Sequence, residues 1–244
     1  MPRRFDPRLL PAAPDLSFES AFWTQGLPYI AGIDEAGRGC IAGPVAAAAV
    51  VLPDDPAIMA LLEGVRDSKE LTPALREALA VRIKKVAVCW GVGFASSHEI
   101  DAFKIVCAIH MAAQRALKSL SHAPQHLLLD YIFLPDDPTP QTALIKGDAR
   151  SLSIAAASIL AKTARDAQLC ALEGEYPGYG FVQHKGYGTR GHLEALGRLG
   201  PCPIHRHTFS PVRDVCNPGI TSDSAELTNA LNRQDAKHAK DPQR

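Results

Sequence analysis

The pattern of apolar and polar positions predicts strands in the first half of the chain and helices increasingly in the second. Apolar runs at 29–34, 45–52 and 86–95 predict three strands. Because a short glycine-rich link joins the first two, we expect those two strands to pair antiparallel. Two shorter apolar strands follow at 127–131 and 143–145 and alternate with helical patterns. This order predicts a mixed α/β sheet in one domain.

Helices are predicted where apolar residues recur with the helical period or where capping residues stand. The predicted helices span 57–64, 73–85, 97–120, 154–172 and 191–199. Thr72 and Pro73 have the character of an N-cap and a first helical residue. The helix at 154–172 carries small residues on one face, which indicates close packing against the sheet. Residues 178–191 are predicted to form a glycine-rich loop.

The two ends of the chain differ in composition from the middle. Residues 1–27 have prolines at positions 2, 7, 11 and 14 and little periodicity, so we expect an irregular arm. Residues 214–244 contain no aromatic residue and few large apolar ones, so we expect a mostly disordered tail. Residues 28–213 are therefore predicted to form the folded, functional domain.

Composition limits the function classes without selecting one. The 244 residues contain 26 lysines and arginines against 26 acids, so the net charge gives no sign of nucleic-acid binding. The segment 184–213 is locally basic, which on charge alone favours an ordinary solvated surface. Six scattered cysteines without a C-x-x-C pair argue against zinc and favour a reducing cytoplasm. No apolar run reaches the roughly 18 residues of a membrane span.

The most informative stretch is 29–39, where an apolar strand leads into two adjacent acids and a glycine-arginine-glycine turn. Buried acids such as Asp34 and Glu35 are costly unless a cation meets them. Gly37 and Gly39 let the backbone approach a ligand, and Arg38 offers donors to a phosphate. Adjacent strand residues point to opposite faces, so the two acids reach one ion only if the strand ends or bends there.

Two more acids, Asp130 and Asp148, also follow predicted strands. With Asp34 and Glu35 they offer up to eight hard oxygens, the ligand type that Mg²⁺ and Mn²⁺ prefer. Each acid also has a simpler interpretation. A single aspartate at a strand end is more often a turn residue, and Asp148 could cap the following helix. Asp166 is interpreted as a surface ion pair with its neighbour Arg165.

Six motifs then occur in the order that is typical of one family. They are GIDEAGRG at 32–39, DSKELT at 67–72, KGD at 146–148, AAASILAK at 155–162, HKGYGT at 184–189 and HRHTFSPV at 205–212. On these motifs the chain resembles ribonuclease HII, the type 2 ribonuclease H of bacteria, over about residues 29–213.

The resemblance implies a ribonuclease H-like fold, a mixed five-stranded sheet flanked by helices, with a small C-terminal helical extension. It implies a metal-dependent endoribonuclease, using Mn²⁺ or Mg²⁺, that hydrolyses the RNA strand of RNA–DNA hybrids. Incision at single ribonucleotides in duplex DNA is also implied, by in-line attack that leaves 5′-phosphate and 3′-hydroxyl ends. We expect a cytoplasmic monomer without membrane contact; recruitment by a clamp protein stays open.

The resemblance also implies roles for individual residues. The catalytic and metal-binding acids would be Asp34, Glu35, Asp130 and Asp148. The ribose 2′-hydroxyl would be sensed by Gly37, Arg38 and Gly39. Tyr187 would stack at the ribonucleotide junction, and backbone phosphates would be held by Ser68, Lys69 and Lys146.

The sequence departs from the family pattern at three positions. Tyr131 stands where glycine is usual, Lys104 where asparagine is expected, and Glu70 where lysine is common. Two other functions remain as alternatives. A junction-resolving nuclease on the same fold would not require a 2′-hydroxyl, and a non-catalytic nucleic-acid or nucleotide binder would show no turnover.

Overall fold

The computed structural model describes residues 10–216, which form a five-stranded sheet between two layers of helices. The helices are α1 Ser17–Trp23, α2 Ile58–Leu61, α3 Pro73–Val86, α4 Ser97–Lys118, α5 Leu152–Leu172, α6 Phe181–His184, α7 Arg190–Leu199 and α8 Ser210–Cys216. The strands are β1 Ile30–Ala36, β2 Val45–Val51, β3 Cys89–Ala95, β4 His126–Asp130 and β5 Gln141–Leu144. No helix within residues 10–216 is long and apolar enough to cross a membrane.

The sheet has the strand order β3-β2-β1-β4-β5. The first three strands pair antiparallel, as the short link between β1 and β2 predicts, whereas β4 and β5 run parallel to β1. Ile33 of β1 stands opposite Leu129 of β4. The next residues, Asp34 and Asp130, therefore emerge side by side at one end of neighbouring strands. The mixed five-stranded sheet implied by the resemblance is confirmed.

Helices α3 and α5 cover one face of the sheet, and α4 covers the other. Small residues let α5 lie close to the sheet, as its composition predicts. A Cβ atom added at Gly32 of β1 would lie 2.2 Å from the backbone carbon of Ser153. The N-cap of α3 is Thr72, as predicted, and its hydroxyl accepts a hydrogen bond from the Leu75 amide. Both buried faces consist mainly of alanine and aliphatic side chains.

The arm predicted to be irregular contains a helix, α1, within its described part. Buried Glu19 of α1 accepts hydrogen bonds from the Ser151 hydroxyl at 2.6 Å and the Ser153 amide at 2.9 Å. This contact fixes the arm to the start of α5. The local sequence pattern could not predict it. The predicted tail lies mostly outside the described residues; within them, residues 214–216 belong to α8. The glycine-rich loop contains the short helix α6.

Candidate active site

Three of the four candidate acids lie together at the edge of the sheet. Asp34 is on β1, Asp130 ends β4, and Asp148 lies in the 3-10 turn Gly147–Ala149 before α5. One carboxylate oxygen from each lies within 4.8 Å of the others. Asp130 Oδ1 accepts the amide of Gly147 at 2.7 Å, which holds the turn carrying Asp148 against the end of β4. The parallel strands and this hydrogen bond together assemble the cluster.

The simpler interpretation of Asp148 as a helix cap is wrong. The N-cap of α5 is Ser151, whose hydroxyl accepts a hydrogen bond from the Ile154 amide. Asp148 is instead buried and turned toward the other two acids. Lys146, two positions before Asp148, adopts the left-handed conformation with φ 54°. Its side chain is exposed. The turn therefore presents a buried acid and an exposed cation within three residues.

Glu35 does not join the three-acid set among the described residues. Strand β1 does not end at Asp34, because pairing with β2 continues through Glu35 and Ala36, whereas pairing with β4 stops at Ile33. Asp34 lies next to Ser158 of α5, which acts to lower the pKa of Asp34, and Glu35 points to the opposite face. There Glu35 lies beside Ala47 and Ile109 and pairs with Arg38 at 3.9 Å. Glu35 nevertheless lines the same small cavity as Asp34 and Asp130, and Asp130 is close enough to raise the pKa of Glu35.

All four acids hold their protons more strongly than exposed carboxyls do. Burial is the largest cause in each case, and neighbouring carboxylates add to it for all four. The pKa of Asp34 is raised well above its ordinary value by burial, Glu35, Asp130 and Asp148. Burial and Asp130 raise the pKa of Glu35 to about 7 and of Asp148 to about 6. Burial also raises the pKa of Asp130.

The loop at Ser68 and Lys69 lies against the acid cluster. Ser68 is buried, and its hydroxyl shares a 2.9 Å hydrogen bond with that of Ser158. Arg76 Nη1 donates to the Ser68 carbonyl at 2.7 Å, and Asp67 accepts the Lys69 amide. Burial acts to lower the pKa of Lys69, but Asp67 and the clustered acids outweigh it and raise the pKa. Lys69 is exposed, so it presents the cation while Ser68 anchors the loop.

The glycine-arginine-glycine turn is supported from below by two buried arginines, which we call the arginine support (Arg165 and Arg206). Arg206 donates to the carbonyls of Gly37 at 2.7 Å and Arg38 at 3.0 Å. Gly37 has φ +91°, and a Cβ atom there would lie 1.9 Å from Arg165 Nε. No atom lies within 4 Å of a Cβ atom added at Gly39. Gly37 is thus required by packing, whereas Gly39 leaves space for a ligand.

Tyr187 lies on a loop that is bonded to the same turn. The Gly186 carbonyl accepts the Ile41 amide at 2.9 Å, and the Tyr187 carbonyl lies 2.8 Å from Nδ1 of buried His192. The Tyr187 ring is 37% exposed, with Lys162 Nζ 5.0 Å from its centroid. Burial, followed by the neighbouring Cys40 thiol, raises the pKa of Tyr187 to about 12, so the phenol stays neutral. One part of the ring is therefore packed and another is accessible.

Comparison with known proteins decides what kind of site this is. A family model described as Ribonuclease HII matches residues 31–212. The chain belongs to the ribonuclease HII family. Ribonuclease HII of Dehalococcoides mccartyi is 46% identical over 213 residues, covering 84% of this chain and 98% of the relative. That of Geobacillus kaustophilus is 50% identical over 200 residues, covering 82% and 75%.

Solved structures agree with this assignment. The PCNA:RNase HII complex of Archaeoglobus fulgidus superposes with TM-score 0.63 and 27% identity, covering 81% of this chain and 99% of that one. Ribonuclease H2 of Pyrococcus horikoshii gives TM-score 0.59 and 29% identity, covering 76% and 96%. The ribonuclease H-like fold is confirmed. As a ribonuclease HII, the protein is a metal-dependent endoribonuclease that acts on RNA–DNA hybrids.

The interpretation of Asp166 as a surface pair with Arg165 is wrong. The Asp166 side chain is 13% exposed and contacts Lys162 Nζ at 2.8 Å and Arg76 Nη2 at 3.4 Å. Arg165 is fully buried and donates to the carbonyls of Pro44, Lys185 and Ala42 instead. Adjacent residues of a helix point in different directions, so neighbours in sequence were the wrong pair.

The arginine support was missed at the sequence level. Arg206 lies in the HRHTFSPV motif, so the resemblance contained a signal, but no local pattern shows that a guanidinium will bond backbone carbonyls. Two departures from the family pattern also gain a physical meaning. Tyr131 has φ 63°, which glycine adopts without strain, and Lys104 has φ 70° and ψ 160°, a conformation that is open essentially to glycine alone.

Proposed function

We propose that this ribonuclease HII binds divalent metal through Asp34, Asp130 and Asp148 and incises duplex DNA at single ribonucleotides. The observation that carries the proposal is the three-acid cluster. Its carboxylates lie within 4.8 Å of one another, and among residues 10–216 no lysine or arginine is within ion-pair distance of them. Such an arrangement is unfavourable by itself and favourable around a cation.

The donor set fits Mg²⁺ or Mn²⁺, because all three side chains supply hard carboxylate oxygens. When bound, such an ion supplies a more acidic water and neutralises charge at a phosphate. Asp34 and Asp130 are held by β1 and β4, and Asp148 by the turn bonded to Asp130, so the ligands are positioned before substrate arrives. Glu35 would act from the opposite face of β1. It lies close enough to Asp130 for the Asp130 carboxylate to raise the pKa of Glu35.

The proposal assigns substrate recognition to the remaining candidate residues. Arg206 occupies the carbonyls of Gly37 and Arg38, which leaves the amides and the exposed Gly39 side of the turn for a ribose 2′-hydroxyl. Lys69 and Lys146 would neutralise backbone phosphates in a sequence-independent way. The exposed surface of the Tyr187 ring would stack on the sugar beside the ribonucleotide.

A cleavage assay on three end-labelled substrates tests this function. One duplex carries a single ribonucleotide, the second is its all-DNA counterpart, and the third is an all-DNA junction. We expect cleavage only of the first, only with Mn²⁺ or Mg²⁺, and with 5′-phosphate and 3′-hydroxyl product ends. Cleavage of the all-DNA junction would support the resolvase instead, and metal-independent binding without turnover would support the binder.

We further propose that a ring-shaped clamp recruits the protein as a monomer. The support is the likeness to the Archaeoglobus fulgidus RNase HII that was solved in complex with PCNA. Co-elution of the full chain with a purified clamp in size-exclusion chromatography tests this. A complex is expected, and its loss on removal of residues 217–244 would assign the contact to the C-terminal segment. Separate elution at micromolar concentrations would contradict the proposal.

A further inference from the structure

Asp166 joins two cations that lead to different parts of the site. It lies on α5, and its carboxylate contacts Lys162 Nζ at 2.8 Å and Arg76 Nη2 at 3.4 Å. The three side chains are only 10–13% exposed. An ion pair shielded from water to this degree is costly to break on one side, because the partner stays behind uncompensated. Asp166 is therefore unlike the exposed surface pairs of this protein.

Each cation makes a second contact with a segment proposed to bind substrate. Arg76 Nη1 donates to the Ser68 carbonyl at 2.7 Å and so holds the loop that presents Lys69. Lys162 Nζ lies 5.0 Å from the centroid of the Tyr187 ring, within the range of a cation–π contact. The loop of Ser68 and Lys69 and the ring of Tyr187 are thus each held by a cation that Asp166 neutralises.

The same face of α5 also reaches the acid cluster. Ser158, Lys162 and Asp166 are spaced four residues apart, so they lie one above another on successive turns. The Ser158 hydroxyl shares a hydrogen bond with that of Ser68 and lies close enough to Asp34 to affect its pKa. One rigid helical face therefore lies against the acids, the loop of Ser68 and Lys69 and the tyrosine.

We propose that Asp166 is a positioning residue. It keeps Arg76 on the Ser68 carbonyl and Lys162 against Tyr187, which fixes the position of both proposed substrate-binding segments relative to the acids. This inference rests on the proposed roles of Lys69 and Tyr187. Without the Asp166 charge the two cations repel each other. Burial, the largest influence, already lowers the pKa of Lys162, and Asp166 is the group that opposes this. Loss of that charge would release both contacts together.

Asp166→Asn tests the inference with almost no change in side-chain shape. We expect KM for a duplex with one ribonucleotide to rise about tenfold, with kcat changed less than about threefold, because substrate is misplaced while the acids stay intact. Mn²⁺ affinity, measured by calorimetry, should stay within about twofold of the parent. Glu194→Gln is the matched control, because it breaks the exposed Arg190–Glu194 pair of α7 and should change nothing.

A double-mutant cycle separates positioning from general destabilisation. If Asp166 acts through Tyr187, the loss from Asp166→Asn should shrink at least threefold (~0.65 kcal/mol) in a Tyr187→Ala background. Losses that multiply independently would overturn the inference while leaving the role of Tyr187 intact. Parent-like cleavage by Tyr187→Ala would overturn both. Should Asp166→Asn not fold, Lys162→Gln, which leaves Asp166 paired with Arg76, must show the same shrinkage.

Discussion

The protein buries charge of both signs in neighbouring regions and treats the two signs differently. The three-acid cluster brings carboxylates together with no ion pair to a basic side chain among residues 10–216. The arginine support buries two guanidinium groups and gives them backbone carbonyls as acceptors. The arginines therefore have all their partners within the chain, whereas the acids have the charge of Lys69 nearby but form no ion pair with it among residues 10–216. The difference indicates which region is structural and which is prepared for a ligand.

The energetic consequences of the two regions are opposite. The carbonyls of Gly37, Arg38, Gly43 and Pro44 all accept hydrogen bonds from Arg206. Gly37 and Pro44 also accept from the Cys40 amide and from Arg165, so removal of Arg206 would leave the carbonyls of Arg38 and Gly43 without this donor. Each such acceptor costs about 1–3 kcal/mol. Removing one acid instead relieves repulsion and desolvation, so it should stabilise the metal-free fold. Stability and activity are thus expected to respond in opposite directions to changes at the acids.

The largest effect should come from neutralising a clustered acid. Asp34→Asn is expected to lower the cleavage rate at least ~10³-fold, because a metal-supporting charge is lost at the reacting centre. Substrate affinity should stay within about threefold, since the phosphate contacts lie elsewhere. Single-turnover cleavage and fluorescence anisotropy measure the two quantities. Parent-like cleavage would remove Asp34 from the site.

A pair of alanine substitutions in the turn distinguishes packing from ligand contact. Gly37→Ala forces a methyl group into Arg165 at a positive φ and should cost about 3 kcal/mol or more in the free energy of unfolding. Gly39→Ala meets no atom within 4 Å and is exposed, so it should change stability by less than about 0.5 kcal/mol. Cleavage by Gly39→Ala should nevertheless fall, because the methyl group enters the proposed ribose site. Equal thermal denaturation curves for the two variants would contradict the packing of Arg165.

The pH dependence of stability should differ between the parent and Asp148→Asn. A carboxyl with a higher pKa when folded binds more protons in the folded state, so stability falls as pH rises. For Asp148 this loss of stability extends from the ordinary pKa of 3.8 to the folded-state pKa of about 6. The stability advantage of metal-free Asp148→Asn should therefore grow from about pH 4 to about pH 6 and then level off.

The comparison between two chains is necessary because other groups act in the opposite sense. Burial lowers the pKa of His192 and His205 to about 4, so their contribution to stability rises with pH over part of the same range. Both histidines are present in parent and variant, and their effect cancels in the difference. Thermal denaturation in the presence of a chelator measures the difference in stability between the parent and Asp148→Asn. A difference in Tm that does not change with pH would contradict the raised pKa of Asp148.

The smallest effect concerns backbone strain next to the cluster. Tyr131 has φ 63°, so Tyr131→Gly should stabilise the fold by about 0.5–1 kcal/mol. Tyr131→Phe keeps the strained backbone and should leave stability within about 0.5 kcal/mol of the parent. Chemical denaturation resolves a difference of this size. Destabilisation by the glycine variant would show that the exposed ring makes a contact that outweighs the strain.

The sequence predicted what depends on local pattern and on strand order. The β1–β2 antiparallel pair, the Thr72 cap and the small face of α5 follow from turn length, capping chemistry and periodicity. Asp34 and Asp130 come together because parallel strands end at the same edge of the sheet, whereas Asp148 also needs the turn that is bonded to Asp130. Helix α1 could not be predicted in the same way, because buried Glu19 is held by residues more than 130 positions away.

The features that the sequence could not show share one cause, which is the direction of side chains in three dimensions. Asp34 and Glu35 point to alternate faces of β1, which stays paired through Ala36, so the sequence alone could not show how each acid faces the cluster. Asp166 pairs with Lys162 one helical turn earlier rather than with its neighbour Arg165. Apart from the Lys185 carbonyl, the arginine support depends on carbonyls that lie more than 120 positions away in the chain. None of these contacts leaves a local trace in the sequence.

Metal binding by the three-acid cluster is most directly tested by titrating Mn²⁺ into the parent and into Asp130→Asn by isothermal calorimetry. Asp130 is the informative choice, because it is followed by an unusual tyrosine and joins β4 to the turn of Asp148. The account predicts that Asp130→Asn weakens Mn²⁺ binding at least ~10-fold, with cleavage falling in parallel. Mn²⁺ affinity and cleavage equal to those of the parent would contradict it.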